Sequence, residues 1–521
     1  MGGGRIVRLA RLRLATATAL VATVAAGAPA QAEEVVRVDG DRVQRIEDPF
    51  AASRAEIELP QTGRVARIEA HPSGHGPRAV GRALRRARSA RNISGADHDT
   101  YLRAYRRARS TWRHLDAARK SELGYVIRSL ERVALAGRLA PSRMRGVFLQ
   151  LRRNAAYWSS KPFPAAGDQV TFRGSELVLQ YFPGRGLQLH PLANFKKANL
   201  LHGACGRGGG GQPVCGARPP GPRRGAPCRP GRLRRLLEEL TAVAVRRGRG
   251  FIAWEYMFDF GGGSPPWMSG MAQATAVTAL GRGAQLLNRP DFNLTAQAAL
   301  GAFDARAPVG VSTRGPFGGV HYLQYSFAPR LYIFNAFMQS LIGLHDYGRL
   351  AREPRATAQF QRAEPEARRE VPASDVGDWS RYSFRGRTST GEYHELLREV
   401  LQGLGRRLGG LYCDYAIRYR RYQTEPPAIR LSGPADAAEG RVARVRFTLS
   451  KLSVVELKVF KGRRLAFRRI ATFHRGSGSF GWRPRSGGRH VIRLGAKELR
   501  TGRSLRGRAA QAVLVKAKPG A

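Results

Sequence analysis

The sequence predicts a multidomain, mainly α protein. Its centre is an α/α toroid, a barrel of αα-hairpins, with a small β region before it and an immunoglobulin-like β-sandwich at the C-terminus. Three observations carry this. Apolar residues recur at helical spacing over 232–247, 269–287, 291–304, 331–347, 354–369 and 391–408, and helices joined by short links pair antiparallel. Residues 168–192 switch to strand-like runs around a Phe182-Pro-Gly-Arg-Gly186 turn. Residues 428–515 alternate again in short runs such as VARVRFTLS and VVELKVF, separated by glycine and basic turns.

Taken in order, the 521 residues open on Arg5, Arg8, Arg11 and Arg13, an Ala/Val-rich apolar run from Leu14 to Ala28, and Ala30-Gln31-Ala32. That is the layout of a signal peptide over 1–32, with an uncleaved N-terminal anchor as the alternative. No later segment is apolar for long enough to span a bilayer, so the expected address is secreted or cell-envelope. Residues 33–95 read as an extended arm, with strands near Glu34–Val38 or Arg64–Ile68. Residues 96–200 form a helical segment plus the small β region: helices are expected over 101–116, 121–137 and 141–158. Residues 203–231 are a Gly/Pro/Arg tract with almost nothing to bury and should be a disordered insertion. Residues 232–427 form the helical domain. Pro426-Pro427 then link it to the β-sandwich of 428–515.

The formal charge is +51, dominated by arginine. A basic surface attracts nucleic acid, anionic membrane or acidic polysaccharide, and composition cannot choose among them; arginines spread over solvated faces would give the same count. Export argues against nucleic acid as the natural partner. Cys205, Cys215, Cys228 and Cys413 lack the close pairs of a zinc site; a disulfide is permitted but its pairing cannot be assigned. No cofactor or metal is implied: there is neither a G-x-G-x-x-G in a βαβ setting nor a P-loop. A homodimer is left open.

The stretch from Phe317 to Tyr347 joins a polar, aromatic loop to an apolar helix, with Pro329 ahead of the helix and Gly348 expected to end it. Within it, Asn335-Ala336-Phe337-Met338-Gln339-Ser340-Leu341-Ile342-Gly343-Leu344-His345-Asp346 resembles the N-G-F-x-x-S-L-I-G-L-x-D helix of the D-glucuronyl C5-epimerases. Trp267-Met268-Ser269-Gly270-Met271-Ala272-Gln273 resembles that family's W-Y-S-A-M-A-Q-G. The resemblance covers roughly 232–425 and implies an α/α helical domain that converts glucuronate to iduronate within a polysaccharide, heparosan- or heparan-like. It also implies that Tyr325, Tyr382 (in Asp378-Trp379-Ser380-Arg381-Tyr382-Ser383) and Tyr393 (in Glu392-Tyr393-His394) line the site. The family's acidic residue before the first tyrosine is Gln324 here.

Epimerisation at C5 needs a base on one face, an acid on the other, and positive charge for the enolate-like intermediate. An amide cannot take the proton, so Glu255, Asp259, His321 and His394 are the candidate bases, with Tyr393 as the acid. Glu255 follows an apolar FIAW run, where a salt bridge is the competing role. His394 could equally be a packed helix residue, and any of the tyrosines a core residue with a satisfied hydroxyl. Arg314, Arg330 and Arg381 flank the tyrosines and are candidates to grip a carboxylate. Gln273 and Asn194 are candidate sugar contacts, with a buried structural amide and a loop cap as their competing roles. Ser269 reads as a helix N-cap and Met271 as core. The expected function is a cofactor-independent uronate C5-epimerase. A uronan lyase and a non-catalytic secreted glycan-binding protein are the rivals.

Overall fold

The computed structural model describes residues 34–39, 42–47, 75–206, 215, 227–248, 250–434, 436–506 and 509–518. The expected signal peptide, the arm strand near Arg64–Ile68 and most of the 203–231 tract lie outside the described residues. The chain begins with an antiparallel hairpin, β1 (Glu34–Asp39) and β2 (Arg42–Glu47). Four helices follow: α1 (His75–Ser89), α2 (Gly95–Arg113), α3 (Ala117–Leu135) and α4 (Pro141–Trp158). The first corrects the arm expected over 33–95, because Ala79, Val80, Leu84 and Ala87 fall on one face and pack into the core that α1–α4 share. Ser94 and Asp97 form a capping box at the start of α2.

The predicted β region is an antiparallel sheet of β3 (Gln169–Thr171), β4 (Val178–Phe182) and β5 (Gly186–Leu189). It leads directly into α5 (Pro191–Gly203), a helix the sequence reading did not assign. His190 caps this helix by accepting from the Ala193 N–H, and Pro191 takes the first helical position. Next come α6 (Pro230–Ala242), β6 (Val245–Arg247) and β7 (Phe251–Ala253). The helix expected over 232–247 therefore stops early. Gly248 and Gly250 take φ of 50° and 92° and turn the chain into a hairpin instead.

The remaining elements before the C-terminal sheets are α7 (Gly270–Leu287), α8 (Pro290–Ala299), α9 (Gly301–Asp304), the strands β8 (Ser312–Arg314) and β9 (Val320–Tyr322), α10 (Phe334–Leu350), α11 (Pro354–Ala373), α12 (Gly391–Leu408) and α13 (Gly410–Thr424). Gly348 does not end α10 as expected. The helix passes through it, and the missing side chain makes room for α11: a Cβ there would lie 2.7 Å from Thr357 Oγ1.

Helices α5/α6, α7/α8, α10/α11 and α12/α13 stand as αα-hairpins around one core. Leu237 of α6, Leu280 of α7, Phe337 and Leu344 of α10, and Leu401 of α12 all lie in it. The first helices of the hairpins run parallel. Thr278 Oγ1 of α7 donates to the Gly343 carbonyl of α10, and further along Gln285 reaches Leu350 O. Asp346 of α10 pairs with Arg407 of α12 in the same sense. The N-terminal ends of α7, α10 and α12 are thereby gathered on one side.

The C-terminal part is two sheets sharing a core. One has the order β10 (Ile429–Leu431), β12 (Ala443–Leu449), β15 (Gly476–Trp482). The other runs β11 (Asp436–Ala438), β17 (Ala509–Lys516), β16 (Gly488–Glu498), β13 (Ser453–Lys461), β14 (Arg464–Phe473). Burial alternates along β12 and β16 as a two-faced strand requires. The whole is a mixed helix-and-sheet protein, and among the described residues no helix is long and apolar enough to cross a membrane. Cys205 pairs with Cys228 and Cys215 with Cys413, so the cysteines of the Gly/Pro/Arg tract are tied to one another and to α13.

Candidate active site

Three tyrosines, far apart in sequence, meet at the N-terminal ends of α7, α10 and α12. Tyr325 sits on the loop after β9, fastened where Ser326 exchanges hydrogen bonds with the backbone of Met268. Gly270 permits this contact: its N–H donates to Leu323 O at 2.8 Å, and a Cβ would strike the same carbonyl. Tyr382 sits on the 374–390 segment, which lies over the start of α10 through the Phe334 N–H to Tyr382 O and Phe384 N–H to Tyr332 O bonds. Tyr393 rides on the first turn of α12, where Thr390 supplies the N-cap. The rings of Tyr382 and Tyr393 are 4.6 Å apart.

Tyr382 shares side-chain hydrogen bonding with both Tyr325 and Tyr393, and Gln324 adds an amide to Tyr325. Burial pushes all three phenols up. The neighbouring Tyr393 raises Tyr325 further, while hydrogen bonds with Tyr382 and Gln324 pull it back. For Tyr382, burial is joined by the charges of Tyr325 and Tyr393 and by hydrogen bonds to both, all raising it. For Tyr393, burial raises and the bond with Tyr382 lowers.

Around this cluster runs an aromatic wall. Trp267 stacks on Tyr256 at 4.1 Å and meets Tyr325 edge-on at 5.6 Å. Phe260 and Phe327 flank Tyr325, and Phe182, Phe258 and Leu192 complete the apolar floor. Flat aromatic faces of this kind suit the C–H faces of a sugar ring. His190 is edge-on to Tyr256 at 5.1 Å. Burial, together with the charge of Lys196, holds its imidazole down at about 3, so it is neutral. Its Nδ1 accepts the capping bond, which leaves the proton on Nε2.

Lys196, one turn along α5, is half-buried, and among the described residues its ammonium makes no hydrogen bond or close ion pair. Burial pulls it down and Glu399 of α12 pulls it back. Among the described residues it is a cation near His190 without a hydrogen-bonded partner. The sequence reading gave Lys196 no role, because no helix was assigned over α5; Pro191 behind a capping histidine was the available signal.

The candidate bases are all engaged elsewhere. Glu255 is buried in a fork, its oxygens 2.6 and 2.9 Å from Arg143 and 2.6 Å from Arg247. Asp259 pairs with Arg132 at 2.5 Å and accepts from the Tyr125 hydroxyl at 2.7 Å. His321 is buried against Glu370 at 2.8 Å. His394 is buried under Trp379, with Nδ1 on Ser380 and Nε2 on Tyr419 O.

Among the expected substrate contacts, Gln273 spends both ends of its amide on the Trp254 backbone, and Asn194 spends both of its own on Val178 and His190. Both are fully buried, so the structure does not bring them to the cluster. Arg314 and Arg330 are exposed, and Arg381 reaches Gly386 O. Gln324 lies in the cluster and also accepts from Ser269 Oγ. Ser269 caps α7 and Met271 lies in its core, as read from the sequence.

The β-sandwich braces the segment that carries Tyr382. Asp378 accepts from Arg500 at 3.0 Å and from the Leu452 N–H, and Arg500 lies over Trp379.

Comparison with curated proteins finds no match. Among solved structures, a Cellulomonas fimi endo-beta-1,4-mannanase double mutant aligns with 55% of this chain and 68% of that chain, at 13% identity and a TM-score of 0.13. A likeness that low carries no argument about fold or function. The family profile of the D-glucuronyl C5-epimerase C-terminus matches residues 248–416, a span containing all three tyrosines. Residues 248–416 are thus similar to the D-glucuronyl C5-epimerase C-terminus.

Proposed function

We propose that the protein is a cofactor-independent C5-epimerase of uronate residues in an acidic polysaccharide of the heparosan type, and that its tyrosines are both the base and the acid. The observation that carries this is the packing of Tyr325, Tyr382 and Tyr393 together at the helix N-terminal ends, with the carboxylate and histidine candidates engaged in other pairs. Gln324, where the related enzymes carry an acidic residue, then does not remove the base. It orients the Tyr325 phenol.

In the forward direction one phenolate, Tyr325, takes the C5 proton and becomes a phenol. The C5–H electron pair delocalises into the carboxylate. Tyr393 gives its proton to C5 from the other face and becomes the phenolate. Tyr382 then donates to Tyr393 and receives from Tyr325, which restores the starting state. Positive charge is needed both to ionise a phenol raised by burial and to hold the doubly charged intermediate. We assign this role to Lys196 of α5, since Arg314 and Arg330 are exposed. The four αα-hairpins are read as part of an α/α toroid and the sandwich as an immunoglobulin-like support. The two disulfides suit an extracytoplasmic address.

The test is solvent deuterium incorporation at C5 of glucuronate polymers by wild type and Lys196→Met. The proposal expects incorporation without added cofactor, reduced about a hundredfold in the variant. An unsaturated uronate product would instead make the protein a lyase. Binding without exchange would make it a glycan-binding protein.

A further inference from the structure

The C-terminal ends of α7, α10 and α12 form an open depression of about 540 Å³ lined by Arg282, His345, Asp346, Arg349, Arg406 and Arg407. Four guanidiniums thus surround one carboxylate. That carboxylate is already taken: Arg407 binds it bidentately, Arg282 approaches to 3.5 Å, and His345 Nδ1 to 3.4 Å. Burial raises Asp346, but the His345 and Arg407 bonds and the arginine charges outweigh this and hold it down at about 2, so it stays ionised.

Cations at helix C-termini commonly serve the helix dipole and the last carbonyls. Here Arg407 does so through Gly403 O, and Gln285 serves Leu350 O. Arg349 and Arg406 do neither: among the described residues they make no hydrogen bond or close ion pair. Burial and the charge of Arg407 disfavour the charged form of Arg406, while the charges of Asp346 and Glu399 favour it.

We propose that this depression is a second anion subsite, in which Arg349 and Arg406 grip a carboxylate or sulfate of the polysaccharide several sugars away from the residue held by the tyrosines. This rests on the polysaccharide reading of the active site. The tyrosines sit at the N-terminal ends of α10 and α12 and the arginines at the C-terminal ends. The fifteen-residue rise from Phe334 to Arg349 separates them by about 22 Å. A long chain can engage both sites, so its second contact is intramolecular and raises affinity without any new interaction at the reacting sugar.

The test is binding rather than turnover, so it stands apart from whether C5 chemistry occurs. Fluorescence anisotropy would follow labelled long heparosan, long N-sulfated heparosan and a heparosan tetrasaccharide at fixed salt. The proteins are wild type, Arg349→Ala/Arg406→Ala, and a charge-matched control, Arg464→Ala/Arg469→Ala on the exposed face of β14. All four substituted arginines are exposed, so folding is not at stake. The expected result is an approximately tenfold loss for long chains in the first variant, with the tetrasaccharide and the control within twofold of wild type. A loss already present with heparosan assigns a carboxylate ligand; a loss confined to the N-sulfated chain assigns a sulfate. A loss no larger than the control's overturns the proposal. So does an equal loss for single-stranded DNA, which would make the depression an unselective basic patch.

Discussion

Glu255→Gln separates structural from chemical roles most sharply. The carboxylate is 1% exposed and its partners Arg143 and Arg247 are 9% and 14% exposed, with three N–O contacts of 2.6 to 2.9 Å. The amide keeps the shape but removes the charge, and its NH₂ faces a donor where an acceptor stood. Two buried guanidiniums are left without a counter-ion. Removing one partner of a buried pair costs about 3–5 kcal/mol. The loss is registered where α4 meets the strand that leads to Tyr256 and the aromatic wall. Urea unfolding followed by far-UV circular dichroism should show the helical transition moving to lower denaturant by that amount. The variant that still folds should keep its turnover within a fewfold. Unchanged unfolding with turnover down a hundredfold would refute the reasoning and return Glu255 to the chemistry.

Two further outcomes follow from the same kind of accounting. Burial lowers His190 to about 3 and His394 to about 4, from an ordinary 6.5. The unfolded chain then binds more protons below 6.5, so stability falls as pH drops from 6.5 to 5, by about 1.4 kcal/mol per pH unit for each histidine, and levels off above. Urea midpoints across that range should show the slope, and His190→Asn, which retains a capping oxygen, should remove about half of it; a flat profile would contradict the burial argument. Asp378→Ala leaves Arg500 beside Trp379 without its carboxylate, an arrangement that costs about 3 kcal/mol. Limited proteolysis should then cut within 374–390 faster than in wild type, and equal rates would show that the β-sandwich does not hold the Tyr382 segment.

What could be read from the sequence depended on whether the signal was local. Helices α4 and α12 have the bounds that periodicity indicated. Helix α5 was hidden because PLANFKKANLLHG buries residues on most of its faces in the first turns, so no 3.6-residue stripe appears. Motif resemblance picked out Tyr325, Tyr382 and Tyr393, which the structure brings together. It could not show that Tyr382 lies between the other two, because that depends on the 374–390 segment crossing the start of α10. Glu255, Gln273 and Asn194 illustrate the opposite limit. A polar residue in an apolar stretch signals either chemistry or a buried partner, and the partner of Glu255 is Arg143, 112 positions away. The cysteines taught the same lesson: their spacing gave no pairing, whereas the fold brings Cys215 against Cys413, 198 residues on.

The central claim is that tyrosines move the C5 proton in both directions, and it is tested most directly by following C5 in deuterated water with Tyr325→Phe and Tyr393→Phe compared separately. Each variant keeps the ring that packs against the wall and loses only the hydroxyl. The account predicts that wild type places solvent deuterium at C5 of both glucuronate and iduronate, and that each variant loses about two to four orders of magnitude in forming the inverted product. Inversion that proceeds at the wild-type rate without either hydroxyl would contradict it.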